Sequence, residues 1–73
     1  MKIEYFQESD MLYIELSDKV SKHQKEMMKD FVIDTDESGN IVGIEIEHAS
    51  KHVNINQIIT KNIKEVLSVL SAA

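Results

Sequence analysis

Residues 2–6, KIEYF, alternate apolar and polar side chains, and residues 12–16, LYIEL, do the same. A period of two is the mark of a strand with one buried face. Between them Gln7, Glu8, Ser9 and Asp10 form a polar, turn-forming cluster. This predicts a first hairpin over residues 1–17, with Tyr5 opposite Leu12 and Ile3 opposite Ile14, apolar against apolar. Leu16 continues that face. A second hairpin is predicted over residues 30–47, from FVI (31–33) and IVGIEI (41–46) around ESGN (37–40). Setting Ile33 against Ile44 brings Phe31 to Ile46 and Thr35 to Val42. A slip of one residue would turn the apolar set to the other face.

After residue 52 the period changes. Ile55, Ile58, Ile59, Ile63, Val66, Leu67 and Leu70 recur at helical spacing. Asn54 or Asn56 suits the cap. The β-branched content lowers intrinsic helix propensity, so packing would have to hold this helix. The expected fold class is α+β: an antiparallel sheet of about four strands from two β-hairpins, with one face covered by a single C-terminal amphipathic helix over about 54–71. Residues 1–73 form one domain. The lysine-rich stretch over residues 18–29 keeps two readings, a long loop or an edge strand whose lysines discourage pairing with other chains.

One helix covers one face. The other would carry Phe6, Met11, Tyr13 and Val32 beside Lys2, Glu4, Glu15, Asp34 and Glu45. Four sizeable apolar groups on an open face make a partner surface, and a homodimer is the economical expectation.

Composition narrows this. A chain of 73 residues has a small core and gains from an added support, a metal or a second subunit. Cysteine is absent, which removes disulfides and thiolate sites. Net charge is −5, and all eight cationic residues are lysine. An acidic chain without arginine lacks the field and the forked donors of a nucleic-acid binder. No apolar run is long enough to span a membrane, and no leader pattern opens the chain. The expected location is the cytoplasm.

Residues 34–45, DTDESGNIVGIE, spell most of a calcium-binding loop: Asp34, Asp36, Ser38, Gly39, Ile41 and Glu45 stand at its key positions. Such a loop needs a helix on each side, and here both flanks have strand period. Its ninth position is Val42, which offers no ligand. Asp36 and Gly39 have a local explanation as the first and fourth positions of a type I turn. His48 and His52, four apart and near Glu45 and Glu47, are the other metal candidates, two histidines without a third ligand at defined spacing. No serine sits in a nucleophile elbow, and no glycine-rich phosphate cradle is present. Asp34 and Glu45 share a face at diagonal spacing, but acid–base work also needs a pocket. No enzyme activity and no cofactor are expected.

The two blocks MKIEYFQESDMLYIELSD and DFVIDTDESGNIVGIEIEHASK together resemble a family of small prokaryotic proteins, domain of unknown function 2283 (DUF2283). Asp10, Leu12, Tyr13 and Ile14 carry the resemblance in the first block. Asp34, Asp36, Gly39, Gly43, Ile44, Glu45, Ile46, Ala49 and Ser50 carry it in the second. The resemblance implies an antiparallel sheet with a C-terminal helix and assigns no catalytic residue. By analogy it suggests an antitoxin-like module that covers a small basic protein with acidic surface around Glu4, Glu15, Asp34, Glu45 and Glu47. The alternative function is a small-molecule or metal-binding module using His48, His52 and nearby carboxylates.

Overall fold

The computed structural model describes residues 1–62. They form one five-stranded antiparallel sheet and one short 3-10 turn. The strands are β1 (Lys2–Phe6), β2 (Met11–Glu15), β3 (His23–Met28), β4 (Phe31–Thr35) and β5 (Ile41–Ile46), followed by the 3-10 turn Ala49–Lys51. Their order across the sheet is β1-β2-β5-β4-β3. The two hairpins therefore join through their second strands, β2 against β5, and β1 and β3 are the edges.

Both predicted hairpin registers are present at their centres. Ile3 faces Ile14 and Tyr5 faces Leu12; Ile33 faces Ile44 and Phe31 faces Ile46. The β2–β5 pairing sets Ile14 against Ile44 and Leu12 against Ile46. Two apolar rows thus run across the sheet on one face, here called the inner face. The predicted register fails at its end: Thr35 faces Ile41, not Val42. A bulge leaves Val42 as the extra residue of β5. Its carbonyl accepts from the backbone N–H of both Leu16 (2.8 Å) and Ser17 (3.2 Å), and its side chain is buried.

Three expectations need correction. The sheet has five strands, not four, because the lysine-rich stretch takes its edge-strand reading: β3 is an exposed edge pairing with β4 from His23↔Thr35 to Met28↔Phe31. A fold class of α+β is not what forms: the described chain is all-β, with no helix beyond the 3-10 turn. The helix expected over about 54–71 is absent from residues 54–62, and the remainder of that segment lies outside the described residues. Asn54 Oδ1 accepts from the backbone N–H of Asn56 at 3.1 Å, the bond expected of a cap, yet no helical turn follows it among the described residues. Ile55, Ile58, Ile59 and Thr60 are β-branched and have low helix propensity, so the cap has little to propagate.

In place of a helix, residues 53–58 run beside the inner face. With Ile3, Tyr5, Leu12 and Ile14 they border an apolar groove of about 350 Å³. The core is thin. Among the described residues only Val42, Ile46 and Ala49 are buried apolar side chains, while Ile3, Met28 and Ile41 remain 42%, 64% and 49% exposed. No helix of the described residues is long and apolar enough to cross a membrane.

Candidate functional site: an acidic outer face and three carboxylate clusters

Polar side chains that the sequence singles out gather in three places, two of which have a structural explanation. The first is the β4–β5 turn. Asp36 Oδ1 accepts from the backbone N–H groups of Ser38 and Asn40, each at 2.9 Å, and its Oδ2 from Asn40 Nδ2 at 3.3 Å. The Asp36 carbonyl accepts from Gly39 N–H at 3.0 Å, which closes the predicted turn. Gly39 has φ 89°, a conformation that favours glycine. These donors, Asn40 first, hold the Asp36 carboxyl below its ordinary pKa. The turn thus engages both oxygens of the aspartate that the calcium reading would use.

The second place is the corner after β5. Asp10 (φ 53°) accepts the Tyr5 hydroxyl at 2.6 Å, the Ser50 N–H at 3.1 Å and the Ser50 hydroxyl at 2.7 Å, and its carbonyl accepts from Ala49 N–H at 2.8 Å. This fastens the 3-10 turn to the first hairpin. The Tyr5 and Ser50 hydroxyls lower the Asp10 pKa, and the same bond raises that of Tyr5.

Close by, Asp30 binds both candidate metal histidines. Its Oδ1 lies 3.0 Å from His48 Nδ1 and its Oδ2 2.9 Å from His52 Nε2. His48 and His52 bracket the 3-10 turn, so a strand end and one tight turn bring them together, as a helix would have done. Bonds from His52 and then His48 hold Asp30 below the ordinary aspartate pKa. The His52 ring also meets Phe31 edge-on, centroids 5.0 Å apart. Among the described residues no group of three or more His, Cys, Asp or Glu side chains is placed to hold a metal ion. The sequence reading missed Asp30. The signal was its place in the two-residue turn between β3 and β4, where φ is 74° and aspartate is tolerated.

The third cluster lies on the outer face and is not satisfied by the fold. The register puts Lys2, Glu15, Gly43, Asp34 and Gln24 in one row across the sheet, and Glu4, Tyr13, Glu45, Val32 and Glu26 in the next. Phe6 faces Met11 on the same side. All four predicted interface residues, Phe6, Met11, Tyr13 and Val32, therefore share one face, Phe6 being exposed and the others half-buried. Glu4, Glu45 and Glu26 alternate with Tyr13 and Val32 along one row, Glu15 and Asp34 stand in the row beside it, and the one lysine, Lys2, stands 3.5 Å from Glu4.

Within that face the Tyr13 ring lies over Gly43. A Cβ at residue 43 would stand 2.8 Å from Tyr13 Cζ, so glycine is needed for the ring to lie there. Gln24 Nε2 donates to Glu45 Oε2 at 2.9 Å, reaching from β3 across β4 to β5. Asp34 lies beneath, only 4% exposed, and its Oδ1 finds no hydrogen-bond partner. Burial, then the Asp34 carboxylate and then Glu47, push the Glu45 pKa up to about 7. Burial and the negative charges of Asp34, Glu15 and Glu45 raise the Tyr13 pKa.

Tyr13, Asp34, Gly43 and Glu45 are four of the residues on which the family resemblance rests, and here they are one contiguous patch. The family model for "Protein of unknown function (DUF2283)" matches residues 2–50, from β1 through the 3-10 turn. The chain belongs to the DUF2283 family. No curated protein and no solved structure matches it. The DUF2283 match ends at Ser50, whose bonds to Asp10 close the β5 corner.

Proposed function

We propose that this DUF2283 protein is a non-enzymatic protein-interaction module, antitoxin-like in action, that takes a small basic protein on its outer sheet face. One observation carries the reading: Phe6, Met11, Tyr13 and Val32 share that face with five carboxylates and a single lysine. Aromatic and apolar side chains set among charged ones make a mixed surface suited to a protein interface. The sign of those charges selects a cationic partner and speeds encounter with it. A second copy of the chain is a poorer occupant, because it would set acid against acid. His48 and His52, the basis of the metal or small-molecule alternative, are engaged by Asp30, which makes them part of the corner.

Self-association is proposed through the inner face, where Ile3 at the groove and Met28 and Ile41 further along the sheet stay exposed. Sedimentation equilibrium tests it: a dimer that Ile41→Lys returns to monomer supports it, and a wild-type monomer at every concentration overturns it. For the outer face, co-expression with basic small proteins encoded beside the gene is the test. Capture that is lost on Tyr13→Ala and retained on Ile41→Lys supports the reading; capture unaffected by Tyr13→Ala contradicts it.

A further inference from the structure

We propose that Asp34 and Glu45, roofed by Tyr13 and Gln24, are the receptor for one primary ammonium group, a lysine side chain of the basic partner. This deepens the reading of the outer face and rests on it.

The argument starts from the unsatisfied oxygen. A buried polar atom without a partner costs free energy, and native folds rarely keep one without a reason. Asp34 is almost completely buried, its Oδ1 is unpaired, and the Glu45 carboxyl and Tyr13 are its neighbours. Two carboxylates in contact repel, so the free protein relieves them with a proton on Glu45, held up to about pH 7. A cation at the same place would relieve them better, because it neutralises the pair and also supplies donors. Gln24 shows that a nitrogen donor fits here: its amide nitrogen already sits 2.9 Å from Glu45 Oε2.

Geometry favours lysine over arginine. An ammonium is compact, with three donors that rotate freely. It can donate to the remaining Glu45 oxygen beside Tyr13 and Gln24, with the Asp34 carboxylate adding its negative charge from beneath. A guanidinium wants two parallel acceptors on one carboxylate, but Gln24 occupies one Glu45 oxygen and Asp34 is recessed. The charged groups on the same face are Lys2 and Glu4 on β1, Glu15 on β2, Glu26 on β3, Asp34 on β4 and Glu45 on β5, with Glu47 just beyond. Their balance is strongly negative, so the field draws a cation in from every strand.

Tetralysine is the probe, with binding followed by calorimetry on the full chain. Glu45→Gln should weaken binding about tenfold, as expected for losing a charge-assisted hydrogen bond. Glu26→Gln, on the same row but away from the pair, removes only a more distant charge and should weaken binding by much less than tenfold. Gln24→Lys should fill the receptor from within and block the probe, without depending on loss of a carboxylate. Affinity for the wild-type chain should rise about tenfold per pH unit up to about pH 7 and then level off, with one proton released per lysine bound. Binding that Glu45→Gln and Glu26→Gln weaken equally would overturn the receptor while leaving an acidic docking face. No binding of tetralysine at all would overturn both.

Discussion

Gly43 shows how one position governs the outer face. The missing side chain lets the Tyr13 ring lie over β5, where Tyr13 neighbours the buried Asp34. Gly43→Ala places a methyl against the ring, where aromatic carbon is 2.8 Å away. The ring must lift, and the expected loss is about 1–3 kcal/mol, typical of overpacking. Urea unfolding of the double-mutant cycle with Tyr13→Ala checks the cause: the two losses should be far from additive. Glu45 gives a pH signature at the same scale. Its folded pKa is raised, so the stability tied to its proton is complete below its ordinary carboxylate pKa and lost as pH rises towards about 7. Asp10, Asp30 and Asp36 act in the opposite sense. Their lowered pKa values give stability above the ordinary aspartate range that disappears as pH falls through their folded values. Thermal unfolding across pH should therefore show stability falling at the acid end and again towards neutrality. Glu45→Gln should remove only the second fall.

At the scale of elements, the legible parts were those with strict alternation. Period two in KIEYF and in IVGIEI was enough to set Ile3 on Ile14 and Ile33 on Ile44, because any slip exposes a whole apolar row. What alternation could not show was the bulge at Val42, which shifts Thr35 to Ile41. Strand β3 was legible only as one of two readings, loop or edge strand. HQKEMM is exposed along its whole length, so it carries no burial pattern, and its partners are supplied by β4. Over residues 54–62 the expected helix does not form: the apolar spacing is carried by β-branched Ile55, Ile58 and Ile59, whose helix propensity is low. The His48–His52 pair was visible as a spacing, but its acceptor, Asp30, is a turn residue 18 positions away from the first of them. Removing that acceptor tests the corner. Asp30→Asn should destabilise the β5 end while leaving the β4–β5 turn intact. Amide hydrogen exchange should then quicken at His52 and Val53, whose N–H groups both bond to the Ala49 carbonyl, and stay unchanged at Gly39.

For the molecule as a whole, a single sheet with two different faces has two different tasks. The inner face is apolar and lightly covered; the outer face is acidic with an aromatic centre. The candidate site was legible as a list of family residues, but not as a site. Only the sheet order β2-β5-β4-β3 brings Tyr13, Glu45, Asp34 and Gln24 together from four strands. A face that recognises a cation through charge should also lose affinity with salt, and steeply so at low ionic strength. The central claim is that the outer face, centred on Asp34 and Glu45, receives a basic partner. Backbone amide shifts on adding tetralysine test it most directly. The account predicts changes concentrated at Tyr13, Gln24, Asp34, Gly43 and Glu45, with Asp36, Gly39 and Ser50 still; changes confined to Ile3, Ile14, Ile33 and Ile44, or none, would contradict it.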